Sequence, residues 1–229
     1  MTEVKNKRLY SPVLPGGTAA VQRTAMTALD RHPEARIIRV QLRQNLVLKH
    51  LNSAQRQELE SLLEIADYPK GGLLEHQGDR SMEQYFIIEG ILKRVVSNAQ
   101  GKEMILRFAA ESDIDTSYAA WRLKTPIPYS IRTVTKVRVA KLSMQHWAGF
   151  LESHPAIKQA FEFELMKLMS EVMAHTITLH LLDAPGRIKR FMRKHDDLAD
   201  RLPKKELALY LNLTPETLSR LKRHGKIKI

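Results

Sequence analysis

The chain has 229 residues and a formal net charge of +12, and it contains no cysteine. The length is sufficient for one large or two modest domains with a hydrophobic core, and the lack of cysteine excludes disulfides, thiolate zinc sites and cysteine-ligated iron–sulfur clusters. No apolar run approaches the ~20 residues that a membrane-spanning helix requires, and the first residues lack the apolar stretch of a signal peptide. We therefore expect a cytoplasmic protein with no membrane partner.

The basic residues are concentrated at the two ends of the chain. Residues 1–45 contain 8 Lys or Arg and 3 Asp or Glu, and residues 185–229 contain 13 Lys or Arg and 5 Asp or Glu. Residues 46–184 are close to neutral, with 16 basic and 17 acidic side chains. Because a localised excess of Lys and Arg attracts phosphate, this distribution indicates a C-terminal region that binds nucleic acid.

Residues 1–43 have the pattern of a basic N-terminal extension. Proline and glycine interrupt it at Ser11-Pro12 and Pro15-Gly16-Gly17, and its basic residues follow no apolar stripe. We therefore expect a flexible segment. A second interpretation stays open, because a strand or helix that packs on the next domain would use the apolar residues Ile37, Ile38, Val40 and Leu42.

Residues 44–150 predict a helix followed by a β-roll. The helix is predicted over residues 45–66, with a cap at Asn52-Ser53 and a stripe of leucines and alanine at helical spacing. From Tyr68 onward, turn signals rich in Gly, Pro and Asn recur about every ten residues. The β-rich runs between them are residues 73–76, 84–88, 91–97, 104–108, 130–134 and 137–142, with an irregular stretch at residues 109–128. Many short strands at even spacing predict a closed antiparallel barrel or jelly roll.

Residues 151–184 predict one long helix, which begins after His154-Pro155 and ends near Leu182. An apolar seam advances along it in steps of three and four residues. Its members are Ile157, Phe161, Leu165, Leu168 and Val172, and Met169, Met173 and Ile177 extend it. A helix of this length has more apolar surface than a compact barrel covers, so we expect the seam to form the interface of a homodimer.

Residues 185–229 contain a further helix and then two short helical patterns on either side of Asn212-Leu213. Asn tolerates the left-handed backbone of a tight turn, and the small residue Ala208 allows two helices to cross closely. Thr214-Pro215-Glu216 begins the second helix with a cap, a proline and an early carboxylate. This is the helix-turn-helix pattern, whose second helix lies in the major groove of DNA, and an ordinary amphipathic hairpin is the alternative.

The second helix carries the side chains that we expect to contact double-stranded DNA. Arg220 can form a fork with guanine O6 and N7, Glu216 can accept a hydrogen bond from cytosine N4, and Ser219 can reach a thymine or a phosphate. Phosphate contacts are expected from Thr214, Thr217, Lys222 and Arg223.

The order of these parts resembles the Crp/Fnr superfamily of bacterial transcription regulators over about residues 46–224. The similarity is strongest at residues 211–220, and it is also carried by Tyr68-Pro69-Lys70-Gly71, Gln77-Gly78-Asp79 and Gly101-Lys102-Glu103 and by residues 85–90. The chain is similar to members that end soon after the recognition helix. The resemblance implies an α+β protein with an N-terminal double-stranded β-helix (jelly-roll) sensor of the cyclic-nucleotide-binding type, a long dimerisation helix and a C-terminal helix-turn-helix.

The resemblance also implies a function. It implies a homodimer that binds a palindromic operator and acts with RNA polymerase, while an effector in the β-roll shifts the DNA-binding heads. Glu216, Ser219 and Arg220 match the Glu-x-x-Ser-Arg pattern of the Fnr branch, which implies a palindrome similar to TTGA-N6-TCAA.

The effector pocket departs from the family pattern. The corresponding residues are Asp115, Thr116, Tyr129 and Ser130. Tyr129 stands where cyclic-nucleotide-binding members have a phosphate-binding Arg, and a neutral phenol cannot replace a bidentate cation. Asp115 is one methylene shorter than the expected ribose-binding Glu. The sequence therefore predicts an unidentified effector that is not cyclic AMP, or none.

We predict no enzyme, no metal and no cofactor, because no nucleophile motif or ligand cluster is evident. Three alternatives remain. A haem-based gas sensor would use His76 or His146, since some family members sense gases with haem. A cupin-like metal enzyme would need a His and Glu cluster, which only His76 with Glu75 approaches. A ligand-binding adaptor that does not bind DNA is the third alternative, and the basic tail argues against it.

Overall fold

A computed structural model describes residues 26–223 of the chain. Two antiparallel sheets form the β-roll, one with strand order β1-β2-β9-β4-β7 and the other with order β3-β8-β5-β6. The strands are β1 (Met26–Ala28), β2 (Glu64–Tyr68), β3 (Leu73–Glu75), β4 (Glu83–Glu89), β5 (Leu92–Ser97), β6 (Glu103–Ala109), β7 (Ile114–Thr116), β8 (Ser130–Thr133) and β9 (Val137–Ser143). The α-helices are α1 (Ala35–Leu42), α2 (Ser53–Glu60), α3 (Tyr118–Leu123), α4 (Met144–Ser153), α5 (Pro155–Leu181), α6 (Ala184–Lys194), α7 (Asp196–Ala199), α8 (Lys204–Tyr210) and α9 (Pro215–Arg223).

Strand β4 shows why the roll has two cores. Successive side chains of a strand point to opposite faces of the sheet. Tyr85 and Ile87 belong to the cluster between the two sheets, whereas Phe86 and Ile88 belong to the cluster under the helices. Because both faces of β4 are covered, residues 85–88 form a continuous apolar run within it. At its end, Gly90 has a φ of +90°, and a Cβ there would collide with the carbonyl oxygen of Lys136.

Helices α1, α2, α4 and α5 cover the outer face of the five-stranded sheet. The centre of this layer is Trp147, which is fully buried. Its ring lies 5.3 Å from the rings of Phe86 and Phe161 in edge-on geometry, an arrangement that aromatic pairs favour. Strand β4, helix α4 and the first half of helix α5 are thereby joined in one core.

The structure differs from the expected flexible extension in residues 26–43. Strand β1 pairs with β2, and α1 buries Ile38 and Leu42 in the helical layer. The spacing of these residues gives α1 one apolar face, so the second interpretation of this segment is the one that the structure supports. Residues 1–25 lie outside the described part of the chain.

Two further segments differ from expectation. The helix predicted over residues 45–66 is confined to α2, which begins at a capping box formed by Asn52 and Gln55 and is followed by strand β2 from Glu64. Leu59 and Leu63 are buried as expected, but Ala66 is buried in a strand. The stretch read as irregular contains β7 and α3. Among the described helices, none has both the length and the hydrophobicity of a transmembrane span.

Candidate nucleic-acid interface and effector pocket

Helices α8 and α9 form the predicted helix-turn-helix. Helix α8 ends at Tyr210, and Asn212 then adopts left-handed backbone geometry with a φ of +52°. The N–H of Leu213 donates to the carbonyl oxygen of Ala208 at 2.9 Å. Ala208 is fully buried, as the close crossing of two helices requires. The turn residue and the small residue are therefore placed as the sequence predicts.

Helix α9 presents a polar face to solvent. Thr214 caps its first turn by accepting a hydrogen bond from the N–H of Thr217 at 3.2 Å, while Leu218 is buried against α8. The predicted base-contacting residues Glu216, Ser219 and Arg220 are all exposed. The predicted phosphate-contacting residues Thr214 and Arg223 are exposed and Thr217 is half-buried, while the side chain of Lys222 lies outside the described part of the structure.

The N-terminal turn of α9 favours negative charge. The pKa of Glu216 is lowered by a hydrogen bond to its own backbone N–H and by the hydroxyl of Thr214. A helix N-terminus carries a partial positive charge, so the carboxylate is kept ionised as a hydrogen-bond acceptor. The exposed face of α9 thus combines one anionic acceptor with the cations Arg220 and Arg223.

Two ion pairs attach the C-terminal helices to the β-roll. Lys93 of β5 donates to both carboxylate oxygens of Glu206 on α8, at 2.7 and 3.0 Å. Arg201 donates to both oxygens of Glu111, at 2.6 and 2.9 Å, and Glu111 also accepts from the N–H of Gly90. These contacts form because β5 faces α8 and the β6–β7 loop faces the segment that precedes α8.

An aromatic cluster reinforces this attachment. Tyr210 of α8 lies 5.1 Å from Phe108 of β6, and its ring is stacked on His175 of α5 at 3.7 Å. Burial lowers the pKa of His175 to about 4. The histidine is therefore neutral at physiological pH and acts as a packing residue between α5, the roll and the helix-turn-helix.

The predicted effector-pocket residues do converge inside the roll, but they already have partners. Asp115 is fully buried and pairs with Arg94 of β5, whose Nε donates to Asp115 Oδ1 at 2.7 Å. Arg94 also donates to the carbonyl oxygen of Thr116 at 2.8 Å and lies 4.5 Å from the centre of the Tyr129 ring. The Tyr129 hydroxyl donates to the same carbonyl, and Ser130 Oγ accepts from the N–H of Gln77 at 3.0 Å.

Arg94 is the residue that the sequence analysis missed. The sequence predicts a pocket without an arginine, because Tyr129 stands where cyclic-nucleotide-binding members have one. Arg94 nevertheless brings a guanidinium into the pocket, from strand β5. Nothing in the local pattern of β5 indicates this role, because Asp115 lies on a distant segment of the chain. Within the described residues, Oδ2 of Asp115 is buried without a hydrogen-bond partner.

A second buried carboxylate lies at the rim of this network. Glu75 accepts from the hydroxyl of Ser117 at 2.5 Å and from the N–H of Glu83 at 2.8 Å. Burial is the main cause that raises its pKa to about 7. His76 follows it at the end of β3, and His146 lies exposed on α4. In residues 26–223, no group of three or more His, Asp or Glu side chains is arranged to hold a metal ion.

The seam predicted as a dimer interface lies mostly within the chain itself. Ile157, Phe161 and Leu168 are buried against the roll and α4, and Leu165 and Val172 are partly buried. Residues at these positions face the protein's own core because α5 packs lengthwise on it. The exposed apolar surface lies on the opposite side of α5, and it includes the predicted extension of the seam, Met169, Met173 and Ile177. We call this surface the α5 stripe: Phe163, Met166, Met169, Met173, Ile177 and Leu181.

Comparison with known proteins agrees with this architecture. The family described as the cyclic nucleotide-binding domain matches residues 65–154. The chain is 22% identical over 167 residues to the cAMP-activated global transcriptional regulator CRP of Salmonella typhimurium, covering 69% of this chain and 80% of that protein. It is 23% identical over 203 residues to the nitrogen fixation regulation protein FixK of Bradyrhizobium diazoefficiens, covering 82% and 84%.

A solved structure shows the same fold. The c-di-GMP-responsive global regulator CLP of Xanthomonas campestris superposes with a TM-score of 0.64 at 17% identity, covering 76% of this chain and 92% of that chain. The likeness extends over about three quarters of this chain and concerns the fold. The matched domain and the two relatives show a cyclic nucleotide-binding domain at residues 65–154 and homology to CRP and FixK, which are members of the Crp/Fnr family of transcription regulators.

Proposed function

We propose that the protein binds a palindromic operator similar to TTGA-N6-TCAA as a homodimer. The observation that carries this proposal is the exposed polar face of α9, which follows a left-handed turn at Asn212. In this proposal, Arg220 forms a fork with guanine and Glu216 accepts a hydrogen bond from cytosine, and both side chains are exposed. The relatives CRP and FixK, named as transcriptional and nitrogen fixation regulators, support the same class of function.

Selection of binding sites from random DNA tests the proposal. We expect an inverted repeat, and replacing Arg220 by Ala should relax the preference at one base pair of each half-site at a cost of ~1–3 kcal/mol. Replacing Arg223 by Ala should weaken binding to all sequences alike and reduce the salt slope by roughly one. Lys49→Ala, which removes an exposed positive charge outside the C-terminal helices, serves as the control and should change neither property.

Two outcomes would reject this function. Recovery of no repeat would exclude the palindrome, and an unchanged preference in Arg220→Ala would exclude direct readout by that residue. A gel shift with and without competitor DNA also separates a sequence-specific regulator from an adaptor or a cupin-like enzyme, neither of which would retain specific DNA.

The α5 stripe is the surface that we propose for dimerisation. Met166 and Met173 expose 63% and 66% of their surface, and Leu181 exposes 77%. Apolar residues in a row at spacings of three and four along one helix favour pairing with a second helix across a two-fold axis. The buried side of α5 is unavailable, since it already packs on the roll.

Light scattering tests this surface. The wild type at micromolar concentration should have about twice the chain mass of 26.3 kDa. Met173→Glu should yield a monomer, because a charge in an apolar interface is not solvated. Gln145→Glu adds the same charge at an exposed position of α4 and should leave the mass unchanged. A monomeric wild type would reject the homodimer.

We propose that the interior of the roll senses an effector other than a cyclic nucleotide, or none. A cyclic phosphate would need the Arg94 guanidinium, which is paired with Asp115 at 2.7 Å and is only 3% exposed. Breaking a buried ion pair to bind an anion leaves the carboxylate uncompensated. Calorimetry should therefore detect no micromolar binding of cyclic AMP or cyclic GMP. A Soret band in the purified protein would instead favour the haem alternative.

A further inference from the structure

The side chain of Arg187 joins two helix ends that are distant in sequence. Arg187 lies in the first turn of α6, and its Nε donates to the carbonyl oxygen of Leu182 at 2.9 Å. Its Nη1 donates to the carbonyl oxygens of Leu211 at 2.9 Å and Asn212 at 3.4 Å. Leu182 is the residue that ends α5, and Leu211 and Asn212 form the turn of the helix-turn-helix.

The chemistry of this bridge is specific to arginine. The last carbonyl groups of a helix have no partner within the helix and carry a partial negative charge. A guanidinium places several N–H donors in one rigid plane, so a single side chain can serve carbonyls from two helices. A lysine ammonium at the same place is a flexible point charge and cannot hold both ends in a fixed relation.

The bridge connects the proposed dimer surface to the proposed DNA surface. Helix α5 carries the α5 stripe, so it lies next to the two-fold axis of the dimer. Helix α9 begins at Pro215, three residues after Asn212. The ion pairs of Lys93 with Glu206 and of Arg201 with Glu111 attach the C-terminal helices to the β-roll. Lys194 near the end of α6 pairs with Glu171 of α5 at 3.4 Å, and His175 of α5 stacks on Tyr210 of α8. Arg187 differs from these contacts because it joins the end of α5 to the turn just before α9.

We propose that Arg187 is a positioning residue that sets the distance between the two recognition helices and therefore the spacing of the half-sites. This inference rests on the proposed function. Inserting one base pair moves a half-site by about 3.4 Å and rotates it by about 35° around the DNA axis. If the link between α5 and the turn is rigid, the dimer binds operators with one half-site spacing more tightly than others. If the link is broken, the dimer binds operators with several spacings, and its affinity for the operator with the best spacing is lower.

Binding to operators with spacers of five, six and seven base pairs provides the first test. The wild type should bind the operator with its best spacer roughly tenfold or more tightly than the other two operators. This factor corresponds to the contribution of about one charge-assisted hydrogen bond. Arg187→Gln and Arg187→Lys should both reduce this preference to about threefold or less, mainly through weaker binding to the best spacer. Lys189→Gln removes an exposed charge two residues along α6 and should keep the preference of the wild type.

A distance measurement without DNA provides the second test. Because the chain has no cysteine, Lys205→Cys introduces a single thiol for a spin label on α8, where Lys205 is exposed. The distribution of label-to-label distances in the dimer should broaden when Arg187→Gln is added and stay unchanged when Lys189→Gln is added.

The two tests separate failure of this inference from failure of the proposed function. An equal loss of affinity for all three spacers, with an unchanged distance distribution, would overturn the positioning role while leaving DNA binding intact. A wild type without specific DNA binding would overturn the proposed function, and the distance distribution would then decide the role of Arg187 alone. If no label-to-label distance is detected, the protein is not a dimer and has no two recognition helices to hold apart, and the inference would be overturned.

Discussion

Replacing Arg94 by Met should destabilise the β-roll by roughly 3–5 kcal/mol, the range measured when one partner of a buried ion pair is removed. The expectation follows from burial, since Arg94 is 3% exposed and Asp115 is fully buried. Methionine fills the space of the arginine stem but provides no charge. Asp115 then keeps only the hydrogen bond from the N–H of Thr116 at 2.9 Å. Such a loss is a large fraction of the ~5–15 kcal/mol by which domains are stable.

A second substitution separates the ion pair from the packing of its members. In the double variant Arg94→Met/Asp115→Asn, neither position of the pair carries a charge, and most of the lost stability should return, to within about 2 kcal/mol of the wild type. Urea unfolding followed by tryptophan fluorescence reports this, because Trp147 is fully buried next to the roll. Arg36→Met removes an exposed arginine of α1 and should change stability by no more than about 0.5 kcal/mol.

The reasoning would be refuted by either of two results. A single variant within about 1 kcal/mol of the wild type would mean that Asp115 is solvated or neutral in the fold. A double variant no more stable than the single one would mean that Arg94 acts through packing alone.

Four further results are expected. Burial lowers the pKa of His175 from 6.5 to about 4, so between these pH values the unfolded chain binds a proton that the folded chain does not. The free energy of unfolding measured in urea should therefore fall by roughly 3 kcal/mol as the pH drops from 6.5 to 4, and His175→Phe should abolish this pH dependence. Burial raises the pKa of Glu75 from 4.5 to about 7, so the protonated carboxyl group stabilises the fold. This contribution to the free energy of unfolding is complete below pH 4.5 and is lost as the pH rises to 7. Glu75→Gln should remove that pH-dependent loss of stability. Asn212 has a positive φ, which alanine tolerates poorly and glycine tolerates well. Asn212→Ala should therefore lower the free energy of unfolding by ~1–2 kcal/mol in thermal unfolding, and Asn212→Gly should lower it much less. Leu168→Ala should cost ~2–5 kcal/mol in urea unfolding, without the change of mass in light scattering that Met173→Glu is expected to cause.

Strands β3 to β6, β8 and β9 and the helix-turn-helix are the parts that the sequence predicts well. Their signals are local: the turn residues before and after β4 to β6, and the cap, proline and left-handed Asn212 of the DNA-binding motif. The sequence predicts helix through the first three residues of β2, because Leu59, Leu62, Leu63 and Ala66 continue a helical spacing. Only its pairing with β1 and β9 makes this segment a strand, and that pairing involves residues far away in the chain.

Two features of the site depend on such distant contacts and were not predicted. A period of three and four residues shows that α5 has apolar faces, but it does not show which face meets the protein's own core and which meets a second copy. Likewise, Lys93 and Arg94 on β5 have the polar character of exposed strand residues. Their partners are Glu206 and Asp115, and no spacing within β5 points to them.

The order of strands in the five-stranded sheet has a consequence for how the chain is made. Strand β2 lies between β1 and β9, and Glu64 pairs with Lys141 while Tyr68 pairs with Val137. During synthesis, β1 and β2 leave the ribosome long before β9 and have only each other as partners, and an isolated two-stranded pair is marginal in water. Closure of the roll must therefore wait until Ser143 has emerged, and contacts of such wide sequence separation fold slowly. Ile65 and Ala66, which are buried in the finished roll, remain exposed for that interval and can associate with other apolar surfaces.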